Sequence, residues 1–158
     1  MKAKGKSRRK RKKMLEDKIK KLIGKAIEGM NNAYAPRSNF PVGAAVLTSK
    51  GNMYQGCNIE SVISGLGTCA ERSAIDHAVA HGEYNFEAIA IVTKAKTPVK
   101  PCGACLQYIS EFSQVAQKDV EIIMATSNGK YKKSSINKML PGMFGPRDAK
   151  LDLRKYQK

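Results

Sequence analysis

Two short segments of the chain carry residues whose types and spacing could do chemistry. The segment Cys69-Ala70-Glu71-Arg72 supplies a thiol and, two residues later, a carboxylate, while Pro101-Cys102-Gly103-Ala104-Cys105 supplies two thiols at Cys-x-x-Cys spacing. Three thiolates can bind Zn²⁺ and leave its fourth tetrahedral position to water, which distinguishes a catalytic zinc site from a closed structural one. We therefore predict that Cys69, Cys102 and Cys105 bind Zn²⁺.

Glu71 is the candidate for acid–base chemistry beside this metal. It lies two residues from Cys69, close to the metal without having to ligate it. Zinc lowers the pKa of a bound water toward about 7, so hydroxide forms at neutral pH. A carboxylate in this position can take a proton from that water and deliver it to the substrate. The predicted chemistry is addition of hydroxide to an amidine-like carbon, followed by loss of ammonia.

The local structure around the two segments favours ionised thiols. Each segment stands where a loop is predicted to enter a helix, and the positive end of the helix dipole stabilises thiolate over thiol. Three thiolates on Zn²⁺ leave the site negatively charged. Arg72 lies within the same predicted helical turn as Cys69, and we expect its guanidinium to hydrogen-bond a sulfur and offset that charge.

Two other interpretations use the same cysteines. A closed structural zinc site would need a fourth ligand, for which Cys57, His77 and His81 are the candidates. Cys57 lies in a strand-like segment, and the two histidines lie two and three turns along the helix from Cys69. A redox Cys-x-x-Cys would leave Cys69 and Glu71 without a role. The open zinc site is therefore the preferred interpretation.

Apolar periodicity predicts an alternation of helices and strands around these segments. We expect helices over 14–33, 69–81 (with Thr68 as a candidate N-cap), 102 or 103 onward, and 135–140, and strands over 42–48, 53–58, 86–93, 120–126 and 131–134. Helix, hairpin and then helix–strand–helix–strand is the order of an α/β protein. We predict a three-layer α/β/α fold with a mixed five-stranded sheet.

The net charge of +16 is concentrated at the start of the chain. Residues 1–13 contain nine Lys or Arg and no acidic residue, so we expect a disordered basic tail. Such a tail fits either an electrostatic contact with nucleic acid or a solubilising role, and it lacks the interleaved aromatics of a sequence-reading module. The predicted division is a tail over 1–13, a catalytic domain over 14–150 and a C-terminal tail over 151–158.

Cysteine usage and hydropathy indicate the compartment. Met14-Leu15-Glu16-Asp17-Lys18 is charged where a signal peptide would be apolar. No stretch approaches the roughly 18 apolar residues of a membrane span. Metal-bound thiolates in a reducing interior therefore explain the cysteines better than disulfides do, and we expect a cytoplasmic protein with no membrane contact.

The sequence resembles the small homo-oligomeric cytidine deaminases over about residues 22–144. Zinc on three cysteines, with a Glu that is not a ligand and a Pro-Cys-x-x-Cys segment, is a signature of zinc deaminases. The blocks that carry the resemblance are Ser38-Asn39-Phe40-Pro41-Val42-Gly43-Ala44-Ala45, Gly56-Cys57-Asn58-Ile59-Glu60, the two cysteine segments with Gln107, and Met139-Leu140-Pro141-x-x-Phe144.

This resemblance implies roles for residues outside the two cysteine segments. Asn58 and Glu60 would hydrogen-bond the ribose hydroxyls, Phe40 would pack against the pyrimidine, and the Ala70 N–H would meet its carbonyl oxygen. Phe144 would reach the site of a neighbouring subunit, which implies a homotetramer.

The sequence also departs from the family pattern. Leu106 stands where many members have Arg, and Ser64 lies near the place of their usual aromatic. The leading hypothesis is hydrolysis of cytidine, and of deoxycytidine, to the uridine nucleoside and ammonia in pyrimidine salvage. The alternatives are a blasticidin-S-type aminonucleoside deaminase and, from another class, a zinc-containing nucleic-acid-binding module that uses the basic tail.

Overall fold

The secondary structure follows the predicted order closely. The computed structural model describes the backbone of residues 2–157 and the side chains of residues 15–157. Its elements are α1 (Lys2–Asn31), β1 (Val42–Thr48), β2 (Met53–Cys57), α2 (Ala70–Ala80), β3 (Phe86–Thr93), α3 (Gly103–Ala116), β4 (Glu121–Thr126), β5 (Tyr131–Ser135), α4 (Ile136–Met139) and a 3₁₀ turn, Arg154–Tyr156.

The five strands form one mixed sheet in the order β2-β1-β3-β4-β5. Strands β3 and β4 are parallel, whereas the β1–β2, β1–β3 and β4–β5 pairs are antiparallel. In the chain, helix α3 connects β3 to β4, since two parallel strands need a long crossover connection. The predicted mixed five-stranded sheet is confirmed.

Helices cover both faces of this sheet. On one face α1 packs Leu22, Ala26 and Met30 against the sheet, and on the other Ile75 of α2 and Ile109 of α3 join a larger apolar cluster. The alternation of β1, with Ala44 and Val46 on one side and Ala45 and Leu47 on the other, matches the two-residue period of a strand. The molecule therefore has the predicted three α/β/α layers.

Two glycines let the helices approach strands β1 and β2 closely. A Cβ at Gly43 would collide with the backbone of Ala26 in α1, and a Cβ at Gly56 would collide with the backbone of α2 at Ala74. The backbones of helix and strand are in direct contact there, so no side chain fits at either position. Gly56 thereby sets the distance between β2 and the helix that begins beside Cys69.

Helix α1 begins at Lys2, twelve residues before the predicted start at Met14. Lys, Arg and Ala have high helix propensity and residues 2–13 contain no proline, so these residues can continue the amphipathic helix despite their like charges. Met1 and the side chains of residues 1–14 lie outside the described part of the chain. The disordered tail, its nucleic-acid contact and the division into three segments therefore stay predictions.

One predicted cap is wrong. The N-cap of α2 is Cys69 and not Thr68, whose hydroxyl lies 3.5 Å from the Cys69 carbonyl oxygen. The helix starts one residue later because the extended φ and ψ of Cys69 place its backbone at the boundary.

Within the described residues, no helix has the length and hydropathy needed to cross a bilayer.

Candidate zinc and nucleoside site

The three predicted zinc ligands come together at the starts of two helices. Cys69 is the N-cap of α2 and Cys102 is the N-cap of α3, while Cys105 lies one turn into α3. The Cys102 sulfur accepts a hydrogen bond from the Cys105 N–H at 3.3 Å, so this cysteine caps the helix through its own side chain. Both helix N-termini therefore point at the same group of sulfurs.

The spacing of the sulfurs fits a zinc ion. The three Sγ atoms lie within 4.8 Å of one another, and those of Cys102 and Cys105 are 3.1 Å apart. Zn–S bonds of about 2.3 Å in a tetrahedron place two sulfurs about 3.8 Å apart, between these values. Among the described residues the group has no fourth protein ligand. This donor set leaves one coordination position open.

The candidates for a fourth, closing ligand lie elsewhere. The Cys57 sulfur is 3.6 Å from the Asn32 carbonyl oxygen. His77 and His81 hydrogen-bond the carbonyl oxygens of Gln55 and His77 at the other end of α2. The geometry therefore disfavours a closed structural site.

The electrostatics of the thiols depend on burial. Burial raises the pKa of the Cys69 and Cys105 thiols, Cys105 being completely buried. Burial also opposes ionisation of Cys102, but hydrogen bonds from the thiol and N–H of Cys105 outweigh it and bring the Cys102 pKa below its ordinary value. A bound divalent cation reverses the effect of burial, since a coordinating thiol is deprotonated outright.

Glu71 is buried in the first turn of α2, with only 4% of its surface exposed. Burial raises the pKa of its carboxyl, while its own N–H, the Cys105 thiol and the charge of Arg72 act in the opposite direction. The carboxyl is thus in contact with a predicted ligand without belonging to the ligand group. This is the position that a proton-transferring residue needs.

A cleft of about 620 Å³ opens beside Cys69. It is lined by two short segments of the N-terminal half and by the loop that leads into α2, and its lining includes Arg37, Ser38, Asn58, Glu60, Ser64, Cys69 and Arg72. One predicted zinc ligand therefore shares a cleft with both of the predicted ribose-binding residues.

Glu60 is an ionised acceptor at this cleft. The backbone N–H groups of Arg37 and Ser38 donate to its carboxylate at 2.7 and 3.2 Å, and its pKa is lowered, first by hydrogen bonding with Ser38. Two carboxylate oxygens offer about four acceptor positions, so capacity remains for hydroxyl groups of a ligand. Arg37 and Ser38 contribute through their backbone N–H groups, and the loop conformation that turns these groups toward Glu60 has no signal in the sequence.

Asn58 hydrogen-bonds to the loop that precedes β1. Its Oδ1 accepts from the Val42 N–H at 2.8 Å, and its Nδ2 donates to the Phe40 carbonyl oxygen at 3.0 Å. The second Nδ2 hydrogen is not needed for these contacts and can serve a ligand. Phe40 itself is 42% exposed on the same loop and does not line the cleft.

Ala70 and Arg72 follow Cys69 in the first turn of α2. Ala70 is completely buried, and as the first helical residue it has an N–H without an intrahelical acceptor. The Nη2 of Arg72 donates to the Gly67 carbonyl oxygen at 3.3 Å, and its Nε is buried with no partner among the described residues. The predicted Arg72–sulfur hydrogen bond stays a prediction.

Phe144 is 69% exposed, and its backbone is fixed to α3. Gln107, five residues beyond Cys102 on α3, donates from Nε2 to the Phe144 carbonyl oxygen at 2.8 Å. Gln107 follows the second cysteine segment, but its contact with Phe144 spans 37 residues of chain, and no local pattern in the sequence predicts that contact.

A sequence model of the family described as "Cytidine and deoxycytidylate deaminase zinc-binding region" matches residues 16–129. The chain belongs to this family. The matched residues include Cys69, Glu71, Cys102 and Cys105 and end before Phe144. The zinc cofactor predicted from the cysteines is the metal that the family description names.

Individual deaminases are similar over nearly their whole length. The cytidine deaminase of Sporosarcina psychrophila is 39% identical over 130 residues, which cover 82% of this chain and 93% of that protein. The cytidine deaminase of Halalkalibacterium halodurans is 39% identical over 127 residues, with 80% and 94% covered. The crystal structure of cytidine deaminase from Burkholderia pseudomallei superposes with a TM-score of 0.72 at 39% identity, covering 78% of this chain and 96% of that one. The cytidine deaminase fold expected from the sequence is thereby confirmed.

Proposed function

We propose that the protein is a zinc-dependent cytidine deaminase of pyrimidine salvage, which converts cytidine, and also deoxycytidine, to the uridine nucleoside and ammonia. One observation carries this proposal: Cys69, a ligand of the three-thiol group, lines the same cleft as Asn58 and Glu60. A metal centre with an open position thus faces polar groups that suit a sugar. Membership of the deaminase family supports the same reaction.

Cys69, Cys102 and Cys105 would hold the zinc ion. When bound, zinc lowers the pKa of a coordinated water toward about 7 and so makes a nucleophile available at neutral pH. Glu71 takes the proton from the attacking water and passes protons to the ring nitrogen and to the leaving amine. The water oxygen bonds to the amine-bearing carbon, the C–N bond breaks, and ammonia leaves, so the reaction consumes one water.

The remaining residues would bind and orient the nucleoside. Glu60 accepts hydrogen bonds from the ribose hydroxyls, Asn58 donates its free amide hydrogen to them, and the Ala70 N–H meets the pyrimidine carbonyl. Phe40, which does not line the cleft but lies on the loop that Asn58 contacts, would pack against the base once it is bound. Arg72 would offset the negative charge of the thiolates. These assignments follow the family pattern and agree with the positions of Asn58 and Glu60 at the cleft.

A second candidate substrate is an aminonucleoside of the blasticidin S type. Ser64, near the place of the family's usual aromatic, lines the cleft, and a small side chain there leaves room for a bulkier sugar substituent. Steady-state assays with cytidine, deoxycytidine and blasticidin S distinguish the candidates. We expect kcat/KM to be highest for a natural nucleoside; turnover of blasticidin S alone would reject the leading assignment.

We further propose that the enzyme works as a cytoplasmic homotetramer. Val62, Leu66 and Phe144 are 91%, 68% and 69% exposed, so these apolar side chains are available for contacts with other subunits. In this arrangement Phe144 would enter a neighbouring subunit's site.

Light scattering should give four chains per particle, and Phe144→Ala should raise KM. Tyr131 is an exposed aromatic residue on edge strand β5, and Tyr131→Ala should leave KM unchanged. A fully active monomer would contradict this proposal.

A further inference from the structure

The only two histidines of the chain form a pair outside the cysteine site. His77 and His81 lie one turn apart on α2, eight and twelve residues beyond Cys69. At 1.5 Å per residue these positions are about 12 and 18 Å along the helix from the zinc ligands. Both side chains are exposed, and neither is used by the proposed reaction.

Hydrogen bonding fixes the tautomer of both imidazoles. The Nδ1 of His77 lies 2.9 Å from the Gln55 carbonyl oxygen, and the Nδ1 of His81 lies 2.9 Å from the His77 carbonyl oxygen. A carbonyl oxygen can only accept, so each Nδ1 carries the hydrogen and each neutral ring has its lone pair on Nε2. Histidines that bind metals nearly always donate their other ring N–H to such an acceptor.

The two rings are close enough for one ion to bind both. Their centroids are 5.0 Å apart and the ring planes are inclined by 60°. With a Zn–N bond of about 2.0–2.1 Å the metal lies about 3.2 Å from each ring centroid. When both Nε2 atoms point at the ion, a centroid separation of 5.0 Å gives an N–metal–N angle of roughly 100°. Tetrahedral and octahedral ions both accept such an angle, with water on the remaining positions.

Neighbouring groups hold the pair in place. The Tyr54 ring packs at 5.2 Å from the His77 ring and at 5.0 Å from the His81 ring. The Tyr54 hydroxyl donates to the Glu83 carboxylate at 2.9 Å, which fixes the ring and adds a negative charge nearby. His81 also caps the helix through Nδ1, a role that leaves its Nε2 free.

We propose that His77 and His81 form a second metal site that binds a divalent transition-metal ion, such as Ni²⁺, Cu²⁺ or Zn²⁺, through Nε2 of both rings. Imidazole nitrogens suit these ions. With two protein ligands and solvent exposure, the site binds more weakly than the three-thiolate site, and it fills after it.

The test is calorimetric titration of the tag-free, zinc-loaded full chain with Ni²⁺, combined with metal analysis. We expect one Ni²⁺ per chain in addition to retained zinc. His77→Ala and His81→Ala should each weaken Ni²⁺ binding at least tenfold. Asp76→Asn is the matched control: it removes a neighbouring carboxylate that faces Tyr108 instead, and it should leave Ni²⁺ affinity unchanged.

A second measurement keeps the proposal open to refutation if a variant folds poorly. In NMR spectra of the wild-type protein, Ni²⁺ should first broaden the ring signals of the two histidines and Tyr54. Absence of a second metal equivalent, Ni²⁺ binding undiminished in the double His variant, or uptake only by displacement of zinc would each overturn the proposal.

Discussion

At the residue scale, function depends on a few side chains whose chemistry is set by position. Cys69 and Cys102 are helix N-caps, and Cys105 and Glu71 are buried beside them. Burial alone would keep the Cys69 and Cys105 thiols protonated. The helix N-termini and a bound cation favour the ionised form, so we expect these thiols to ionise when a metal binds.

Replacing Glu71 by Gln should strongly reduce turnover and preserve the metal. The carboxyl is buried next to the predicted ligands and is not part of the three-cysteine group, so zinc content should stay at one per chain. Loss of general acid–base catalysis should lower kcat by roughly 10²–10⁴-fold. Metal analysis and single-substrate kinetics check this result. Turnover within tenfold of wild type would show that another group transfers the protons.

Replacing Glu60 by Gln should weaken nucleoside binding. The carboxylate accepts from two N–H groups and keeps acceptor capacity for a ligand, whereas a carboxamide has only one acceptor oxygen. We expect a rise in KM that exceeds the fall in kcat, the pattern of lost uniform binding.

The matched control for Glu60 is Glu28→Gln. Glu28 is exposed on α1 and paired with Lys25, so this change should leave KM unaltered. An equal KM for Glu60→Gln and wild type would remove Glu60 from the binding site.

At the element scale, the sequence predicted where most strands and helices lie. Runs such as Phe86–Thr93 are apolar and β-branched over the length of one strand, and β1 and β3 have the predicted bounds. The start of α1 was not predictable, because like-charge repulsion and high helix propensity oppose each other in residues 2–13. The N-cap of α2 was misplaced because Thr68 and Cys69 are adjacent and only the backbone angles distinguish them.

Replacing Gly56 by Ala should destabilise the protein by displacing α2. A Cβ at Gly56 would collide with backbone atoms of Ala70, Ser73 and Ala74, and rigid backbone cannot yield as a side chain can. Overpacking of this kind costs about 1–3 kcal/mol. Since α2 begins beside Cys69, we expect a lower Tm together with weaker zinc retention.

Gly24→Ala is the matched control for this change. Gly24 lies in α1 and has no atom within 4 Å of its would-be Cβ. Alanine there should leave Tm unchanged or raise it, because Ala favours a helix by about 0.5–1 kcal/mol over Gly. A Tm for Gly56→Ala equal to that of wild type would contradict the close contact between β2 and α2.

At the scale of the whole molecule, local motifs predicted the chemistry better than the architecture of the cleft. The three cysteines and Glu71 are recognisable because metal ligation and proton transfer demand particular residue types at particular spacings. The contacts that shape the cleft, such as those of Glu60 with Arg37 and Ser38, join loops 22 and 23 residues apart. The Gln107–Phe144 contact spans 37 residues. Contacts of this range follow from the packing of the whole sheet, and one sequence contains no local signal for them.

The most direct test of the central claim is an ultraviolet assay of cytidine conversion on metal-analysed protein. We expect one zinc per chain, uridine and ammonia formed in equal amounts, loss of activity when a chelator removes the zinc, and recovery when zinc is restored. Protein that contains no zinc, or zinc-loaded protein that turns over neither cytidine nor deoxycytidine, would contradict it.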